Sequence, residues 1–405
     1  MPEFQRNLYE EIKETAKSTK ISYLFGARQV GKTHLLKKLY KNFKKSKYYN
    51  LEIPEHNRLF NGTEEEIFNL IKDSGDFVFI DEFRYIKNAS KIFKAIYDLG
   101  DFDSKQKTKI FASGSSALEM HKHLSESMAG RFKKFNIKPL SVEEFRNLYD
   151  THDDFINYLT YGGLPGVYDS DENPDNKTKQ EYLKQIFNTY IQKDVKSLVK
   201  EENLSAFNDL IYYLACNQGD ILPSSNIAPE VKTTEKTVER YLDILQNTFV
   251  LYKIQSFSGN LSNELKKSKK YYFYDLGIRN AILGRFLSPE KAKDKGKIWE
   301  TYVCLYLMSI INEANTQIKF WRTSDNNLEI DFIYLRDQIP YPIEVKSNIR
   351  KPEVPAAFKT FIKSYTNTPF GVVMNEKLDE EIDYKGTKIY FISFKNIEYL
   401  REILG

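Results

Sequence analysis

The chain has 405 residues, enough for two or three domains, and its formal net charge of +4 neither requires nor excludes nucleic acid. Two cysteines and five scattered histidines argue against a disulfide framework and against a zinc site. The charged first residues are unlike a signal sequence and no apolar run is long enough to span a bilayer, so we expect a soluble cytoplasmic protein with no membrane partner.

The first chemical motif is a glycine loop between a predicted strand and a predicted helix. Residues 26–33 fit the pattern GxxxxGK[ST], with an apolar segment before them and helical apolar spacing after them. Such a loop binds phosphate, because its amides and the positive end of the helix dipole face the phosphate oxygens. We expect Lys32 to reach the β- and γ-phosphates of ATP and the Thr33 hydroxyl to bind Mg²⁺. The residues predicted to bind the nucleotide here are Gly26, Ala27, Arg28, Gln29, Val30, Gly31, Lys32, Thr33 and His34.

A second strand, residues 77–80, is fully apolar and ends in Asp81 and Glu82. This pattern is typical of a buried parallel strand with acidic residues at the carboxyl end, where ligands bind. Asp81 is predicted to hold Mg²⁺, and Glu82 to act as the base that activates the attacking water.

A third predicted strand, 109–116, has polar groups at its end, and Ser113 and Ser115 are candidates for sensing the γ-phosphate or positioning water. Ordinary turn serines explain them equally well. Farther on, Arg131 is a candidate for stabilising the transferring phosphoryl group, either in the same subunit or across the interface of a homo-oligomer.

Residues 1–145 alternate strand and helix candidates, the pattern of a parallel α/β sheet, and Ser141 and Glu144 have the spacing of a capping box at its end. Between 204 and 274 the order is helix, short helix, helix and hairpin, with Lys266, Lys267, Lys269 and Lys270 between the hairpin strands. This order is typical of a winged helix, whose third helix can enter a DNA major groove. The same fold also serves in protein contacts, and the third helix is partly acidic, so both alternatives remain open.

The last hundred residues contain a second constellation of charged side chains. Asp331 lies in one predicted strand, and Glu344 and Lys346 lie on the same face of the next. If the strands pair, two carboxylates for Mg²⁺ meet a lysine that can orient or deprotonate water, the logic of metal-dependent phosphodiester cleavage. Glu300, on a predicted helix, is a further candidate metal ligand. An ordinary charged edge hairpin is the alternative.

These motifs occur in an order that resembles the prokaryotic AAA-type ATPases with a C-terminal domain of unknown function. The resemblance covers nearly the whole chain and rests on these segments: Gly26 to Thr33, Phe77 to Glu82, residues 114–116, Gly130-Arg131, residues 161–165, Trp321 to Thr323, Asp331, and Glu344 to Lys346. It implies a P-loop AAA-type ATPase domain (1–145), a helical and winged-helix-like domain (146–285), and a restriction-endonuclease-like PD-(D/E)xK domain (286–405).

Two functions follow as hypotheses. The first is an AAA-type ATPase with ATP and Mg²⁺ as cofactors, coupled to DNA binding or to metal-dependent DNA cleavage. The second is a nucleotide-switched protein-interaction module without nuclease activity. The basic run 291–297 is either a DNA contact or a linker.

Overall fold

The structure is a computed structural model that describes residues 4–102, 107–114, 128–168, 174–195, 198–199, 204–258, 269–311, 314–323, 325 and 327–405. Its contacts divide the chain into two compact units. The first comprises residues 1–140, 164–174 and 247–250, and the second comprises residues 141–163, 175–246 and 251–405. The three domains inferred from the sequence remain a prediction. In the described ranges, no helix is both long enough and apolar enough to cross a bilayer.

The first unit is built on five parallel strands, which confirms the parallel sheet expected for this part of the chain. The strands are β1 (Ile21–Phe25), β2 (Ser46–Asn50), β3 (Phe77–Asp81), β4 (Lys109–Gly114) and β5 (Phe132–Asn136). Their spatial order is β2-β3-β4-β1-β5. The helices are α1 (Tyr9–Glu14), α2 (Lys32–Tyr40), α3 (Pro54–Leu59), α4 (Glu64–Asp73) and α5 (Ala89–Phe102).

Aromatic side chains hold neighbouring strands of this sheet together. Phe79 of β3 and Phe111 of β4 stack with ring centroids 4.9 Å apart and planes 4° apart, and both are fully buried. The two residues are also register partners, so the strands run in step to their carboxyl ends. Asp81 therefore lies beside Ser113 at the edge of the sheet where ligands of parallel α/β folds bind.

The second unit begins with helices. They are α6 (Val142–Arg146), α7 (His152–Tyr161), α8 (Asn176–Ile186), α9 (Leu204–Cys216), α10 (Ser224–Glu230), α11 (Glu235–Asn247), α12 (Leu276–Leu283), α13 (Lys295–Ile310), α14 (Ala356–Ser364) and α15 (Tyr399–Leu404), and a π-helical stretch (Phe187–Val195) follows α8. The capping box predicted before α6 is confirmed: Glu144 N donates to Ser141 Oγ at 3.2 Å, and Ser141 N donates to Glu144 Oε2 at 3.1 Å.

A mixed nine-stranded sheet completes this unit. Its strands are β6 (Ile221–Leu222), β7 (Leu251–Ser256), β8 (Lys269–Phe273), β9 (Thr316–Arg322), β10 (Glu329–Arg336), β11 (Ile339–Lys346), β12 (Phe370–Asn375), β13 (Glu380–Tyr384) and β14 (Thr387–Ser393). The order is β13-β14-β12-β11-β10-β9-β7-β8-β6. Both predicted hairpins are present as antiparallel pairs, β7 with β8 and β10 with β11. The restriction-endonuclease-like classification remains a prediction.

The first of these hairpins is not a separate wing. Strand β7 pairs in parallel with β9, through Gln255 with Lys319 and Ser256 with Phe320, and so joins β8 to the C-terminal strands. Lys269 and Lys270 lie within β8 and not in the loop, and Lys270 is only 1% exposed. The prediction that Lys269 and Lys270 lie between the hairpin strands is therefore wrong. Lys266 and Lys267 lie outside the described residues.

Candidate functional sites

The glycine loop of residues 26–33 turns directly from β1 into α2. Gly26 has φ 146°, and a Cβ on it would lie 2.1 Å from the Ile137 carbonyl oxygen, so only glycine fits there. Gly31, with φ 93°, precedes the first helical residue, Lys32. The loop amides are therefore held at the amino end of a nine-residue helix, the arrangement that favours an anion.

Arg6 fixes this loop from the amino-terminal segment. Its guanidinium donates from Nη1 to the Val30 carbonyl oxygen at 2.9 Å and from Nη2 to the Lys138 carbonyl oxygen at 2.6 Å. Sequence reasoning missed Arg6, because a single arginine far ahead of the motif forms no pattern. Its two backbone bonds give it a positioning role for the loop.

Lys32 lies inside the glycine loop, where it was predicted to bind phosphate. Its Nζ donates to the carbonyl oxygens of Gly26 at 3.0 Å and Ala27 at 2.7 Å, and the side chain is 6% exposed. Burial lowers the pKa of Lys32 to about 8, although the charges of Glu82 and Asp81 act in the opposite direction. The neighbouring Thr33 and His34 are exposed at the start of α2.

Asp81 is held at the end of β3 by two hydroxyl groups. Tyr48 Oη donates to Asp81 Oδ2 at 3.0 Å, and Ser113 Oγ donates to Asp81 Oδ1. Ser113 also accepts from the Glu82 backbone N–H at 3.3 Å. The structure thus brings Ser113 to the acidic pair, whereas Ser115 lies outside the described residues. Tyr48 was not foreseen, because its strand carries no chemical motif.

Glu82 follows directly, with a left-handed backbone conformation at φ 57°. This conformation is uncommon for a non-glycine residue and is found preferentially at functional sites. The Glu82 carboxylate forms an ion pair with Arg84, with Nε 3.3 Å from Oε2. Arg84 also lies 3.9 Å from Glu52. The predicted base, Glu82, therefore has a cationic neighbour, Arg84, that sequence reasoning missed.

Arg131 lies at the amino ends of the parallel strands, opposite the carboxyl ends where the glycine loop lies. Its carbonyl oxygen accepts from the N–H of Ile21, the first residue of β1, whereas the glycine loop follows the last residue, Phe25. The two ends of β1 are about 13 Å apart, at roughly 3.3 Å per residue. The Arg131 guanidinium pairs with Asp98 at 2.8 Å. A role for Arg131 at the nucleotide of its own subunit does not fit this placement.

In the second unit, β10 and β11 bring together the three residues predicted to form a metal site. Asp331 Oδ2 accepts from the Val345 N–H at 2.8 Å, and Lys346 Nζ lies 2.7 Å from Glu344 Oε1. Burial, and then the charge of Glu344, raise the pKa of Asp331 to about 7. Glu344 Oε2 is buried and has no hydrogen-bond partner among the described residues, an orphaned oxygen that fits a cation.

Lys270 of β8 occupies the other side of this group. Its Nζ lies 2.7 Å from Glu329, 3.1 Å from Glu300 and 3.8 Å from Asp331. Burial alone would lower the pKa of Lys270, but these carboxylates outweigh burial and raise it. We call Glu300, Glu329, Asp331 and Glu344 the carboxylate cluster. Within the described ranges, no set of three or more His, Cys, Asp and Glu side chains is arranged to hold a metal ion.

Some side chains of the other two predicted DNA contacts, α11 and the run 291–297, are buried or form ion pairs within the protein. In α11, Val238, Tyr241, Leu242 and Leu245 are buried in the unit. In the run 291–297, Lys295 and Lys297 open α13 and pair at 2.5 Å with Glu376 and Asp220. These two lysines therefore belong to a folded helix and not to a linker.

Comparison with known proteins assigns a family to part of the chain. Residues 18–146 match the family model described as an AAA domain. Residues 152–288 and 295–396 match two domains of unknown function, DUF8612 and DUF4143.

Relatives that match more than two thirds of this chain are distant. An uncharacterized protein of Haemophilus influenzae is 25% identical over 303 residues, 69% of this chain and 74% of that protein. An uncharacterized protein of Methanocaldococcus jannaschii is 24% identical over 343 residues, 78% of this chain and 72% of its own. Among solved structures, AMPPCP-bound DnaA from Aquifex aeolicus has a TM-score of 0.32 and 19% identity, covering 61% of this chain and 89% of that one. The match covers the glycine loop and the acidic end of β3, so the part of the chain that contains both features is similar to an AAA domain.

Proposed function

We propose that the first unit binds ATP with Mg²⁺ and hydrolyses it. The observation that carries this proposal is the buried Lys32 ammonium, which lies in a loop closed by Gly26 and within electrostatic range of both Asp81 and Glu82. Thr33 and Asp81 would hold the metal ion, whose chemistry is to neutralise charge on the β- and γ-phosphates. The exposed Thr33 hydroxyl and the buried Asp81 carboxylate are oxygen ligands of the kind that Mg²⁺ prefers.

In this mechanism, Lys32 exchanges the Gly26 and Ala27 carbonyl oxygens for phosphate oxygens when nucleotide binds. Glu82 must leave Arg84 before it can act as a base. Its carboxylate then takes the proton of a water molecule whose oxygen forms a bond to the γ-phosphorus. The bond from that phosphorus to the bridging oxygen breaks, and ADP departs with the oxygen.

The depressed pKa of Lys32 predicts a pH dependence of nucleotide affinity. Phosphate oxygens favour the ammonium form, so binding raises the pKa of Lys32 above its nucleotide-free value of about 8. Below that pH the lysine is already charged and affinity is flat. Above it, binding must take up a proton, and affinity falls by about tenfold per pH unit. We expect this slope in equilibrium binding of a non-hydrolysable ATP analogue between pH 7 and 9.5.

The matched control is Lys32→Arg, because a guanidinium stays charged throughout this pH range. Its affinity is expected to be lower but independent of pH. A wild-type affinity that stays constant up to pH 9.5 would contradict the prediction that nucleotide binding requires protonation of Lys32 in this pH range.

The placement of Arg131 gives a second prediction. Any action of Arg131 on ATP must be on the nucleotide of a neighbouring subunit. Arg131→Ala is expected to lose most ATP hydrolysis, and an equimolar mixture with Glu82→Gln protein is expected to regain part of it. In the mixture, a subunit with intact Glu82 receives Arg131 from its partner. The measurement is specific activity against protein concentration for each variant and for the mixture.

Lys133→Ala is the control, since Lys133 is a neighbouring cation that pairs with Glu11 at the surface. Wild-type turnover in Arg131→Ala would reject the role. A loss that mixing does not rescue would reject action of Arg131 on a neighbouring subunit.

For the second unit we propose two candidate functions. DNA binding with metal-dependent cleavage is supported by the convergence of Asp331, Glu344 and Lys346 and by the orphaned Glu344 Oε2. A nucleotide-switched protein-interaction module without nuclease activity is supported by the ion pairs of Lys270 and by the engaged lysines of α13. A DNA-binding and cleavage assay with and without ATP and Mg²⁺ separates them. A salt titration should accompany it, because binding through phosphate contacts weakens steeply with salt.

A further inference from the structure

We propose that the Lys270 ammonium is the resident cation of the carboxylate cluster and keeps divalent metal ions out of it. The residues present therefore do not fit the metal site expected from Glu300, Asp331 and Glu344. This inference concerns the second unit alone and does not depend on ATP hydrolysis. Of the two candidate functions of that unit, it favours the protein-interaction module without nuclease activity.

The contacts of Lys270 are those of a bound cation. An ammonium group has three N–H donors and no acceptor. Its Nζ lies 2.7 Å from Glu329, 3.1 Å from Glu300 and 3.8 Å from Asp331, so it faces one oxygen of each. The side chain is almost fully buried, which removes water as a competing partner. A buried lysine is stable in charged form only when carboxylates surround it in this way.

Two of the carboxylates that Lys270 contacts, Glu300 and Asp331, also accept hydrogen bonds from other donors. Tyr272 Oη donates to Glu300 Oε1 at 2.5 Å, and the Val345 N–H donates to Asp331 Oδ2 at 2.8 Å. Since Mg²⁺ needs oxygens at about 2.1 Å in near-octahedral order, it would have to displace these donors and the ammonium as well. Two cations cannot share carboxylates at such distances without strong repulsion.

Sequence position explains why these contacts were not foreseen. Lys270 and Tyr272 are two residues apart in β8, so both point to the same face and both reach Glu300. They lie in the segment that matches one family, whereas Glu300 and Asp331 lie in the segment that matches another. The parallel pairing of β7 with β9 is what brings β8 alongside the C-terminal strands.

Glu344, the fourth carboxylate of the cluster, has a different cation, Lys346, beside it. Glu344 Oε2 has no hydrogen-bond partner among the described residues, while its Oε1 pairs with Lys346. A single carboxylate supplies too few ligands for a specific divalent site. The orphaned oxygen therefore does not by itself restore the metal site.

The test is Mn²⁺ binding to the full-length, nucleotide-free protein, measured by electron paramagnetic resonance of free Mn²⁺. The wild-type protein is expected to show no Mn²⁺ site below about millimolar concentration that depends on Asp331. Lys270→Met, which keeps the length of the side chain and removes its charge, is expected to gain one site at least about tenfold tighter. The double variant Lys270→Met/Asp331→Asn is expected to lose that site again.

Lys269→Met is the matched control, since Lys269 precedes Lys270 in the same strand and is only partly buried. It should bind Mn²⁺ as the wild type does. A wild-type site that Asp331→Asn removes would overturn the proposal, and this comparison does not require Lys270→Met to fold. A folded Lys270→Met protein without a new site, judged by circular dichroism, would also overturn it.

Discussion

Glu82→Gln is expected to leave nucleotide binding nearly intact and to slow ATP hydrolysis by about 10²- to 10⁴-fold, the usual contribution of a positioned base. The amide has nearly the same shape as the carboxylate but cannot accept the proton of the attacking water. The measurement is single-turnover hydrolysis at saturating ATP, with the affinity for an ATP analogue determined in parallel.

Glu52→Gln is the control, because Glu52 is the other carboxylate near Arg84 and is itself exposed. Its turnover should stay close to that of the wild type. If Glu82→Gln turns over ATP as fast as the wild-type protein, Glu82 is not the base. If both variants are equally slow, the effect arises from the charge around Arg84.

Lys32→Ala is expected to weaken nucleotide binding by about 100-fold or more. Hydrogen bonds to charged groups contribute roughly 1.5–3 kcal/mol each, and a β/γ-phosphate pair offers Lys32 two of them. The substitution also removes the donor that bonds the carbonyl oxygens of Gly26 and Ala27, so the loop loses its internal support. Isothermal titration calorimetry with an ATP analogue measures the loss.

Lys37→Ala provides the comparison on the same helix, because Lys37 is exposed in the next turn of α2. Its affinity should match that of the wild type. Undiminished binding by Lys32→Ala would remove the basis of the proposed ATP site.

The nucleotide site could be predicted from the sequence because its chemistry is local. The glycine loop and its last two residues, Lys32 and Thr33, form one continuous segment. Asp81 and Glu82 come at the end of a strand whose apolar residues predict that it is buried. Because the strands are parallel and adjacent, these groups all lie at the carboxyl ends of the strands, and no long-range contact has to be known to predict this. The residues that were missed, Arg6, Tyr48 and Arg84, act through contacts that no spacing rule encodes.

Arg131 and Lys270 show where sequence reasoning ends. Arg131 was a plausible phosphate ligand until strand direction placed it at the amino edge of the sheet. Lys270 was predicted to lie between the hairpin strands, together with three other lysines. Its burial depends on the pairing of β7 with β9, a parallel contact between strands some sixty residues apart, which composition cannot reveal.

That pairing affects how the protein can be dissected. A fragment that starts at about residue 286 would carry Glu300, Glu329, Asp331 and Glu344 but would leave Lys270 behind. It would also uncover the edge of β9, whose Phe320 carbonyl oxygen accepts from the Phe257 N–H in the intact chain, and an uncovered edge invites association with other chains. Metal binding or cleavage by such a fragment would describe an unpaired acidic surface that the intact protein does not present.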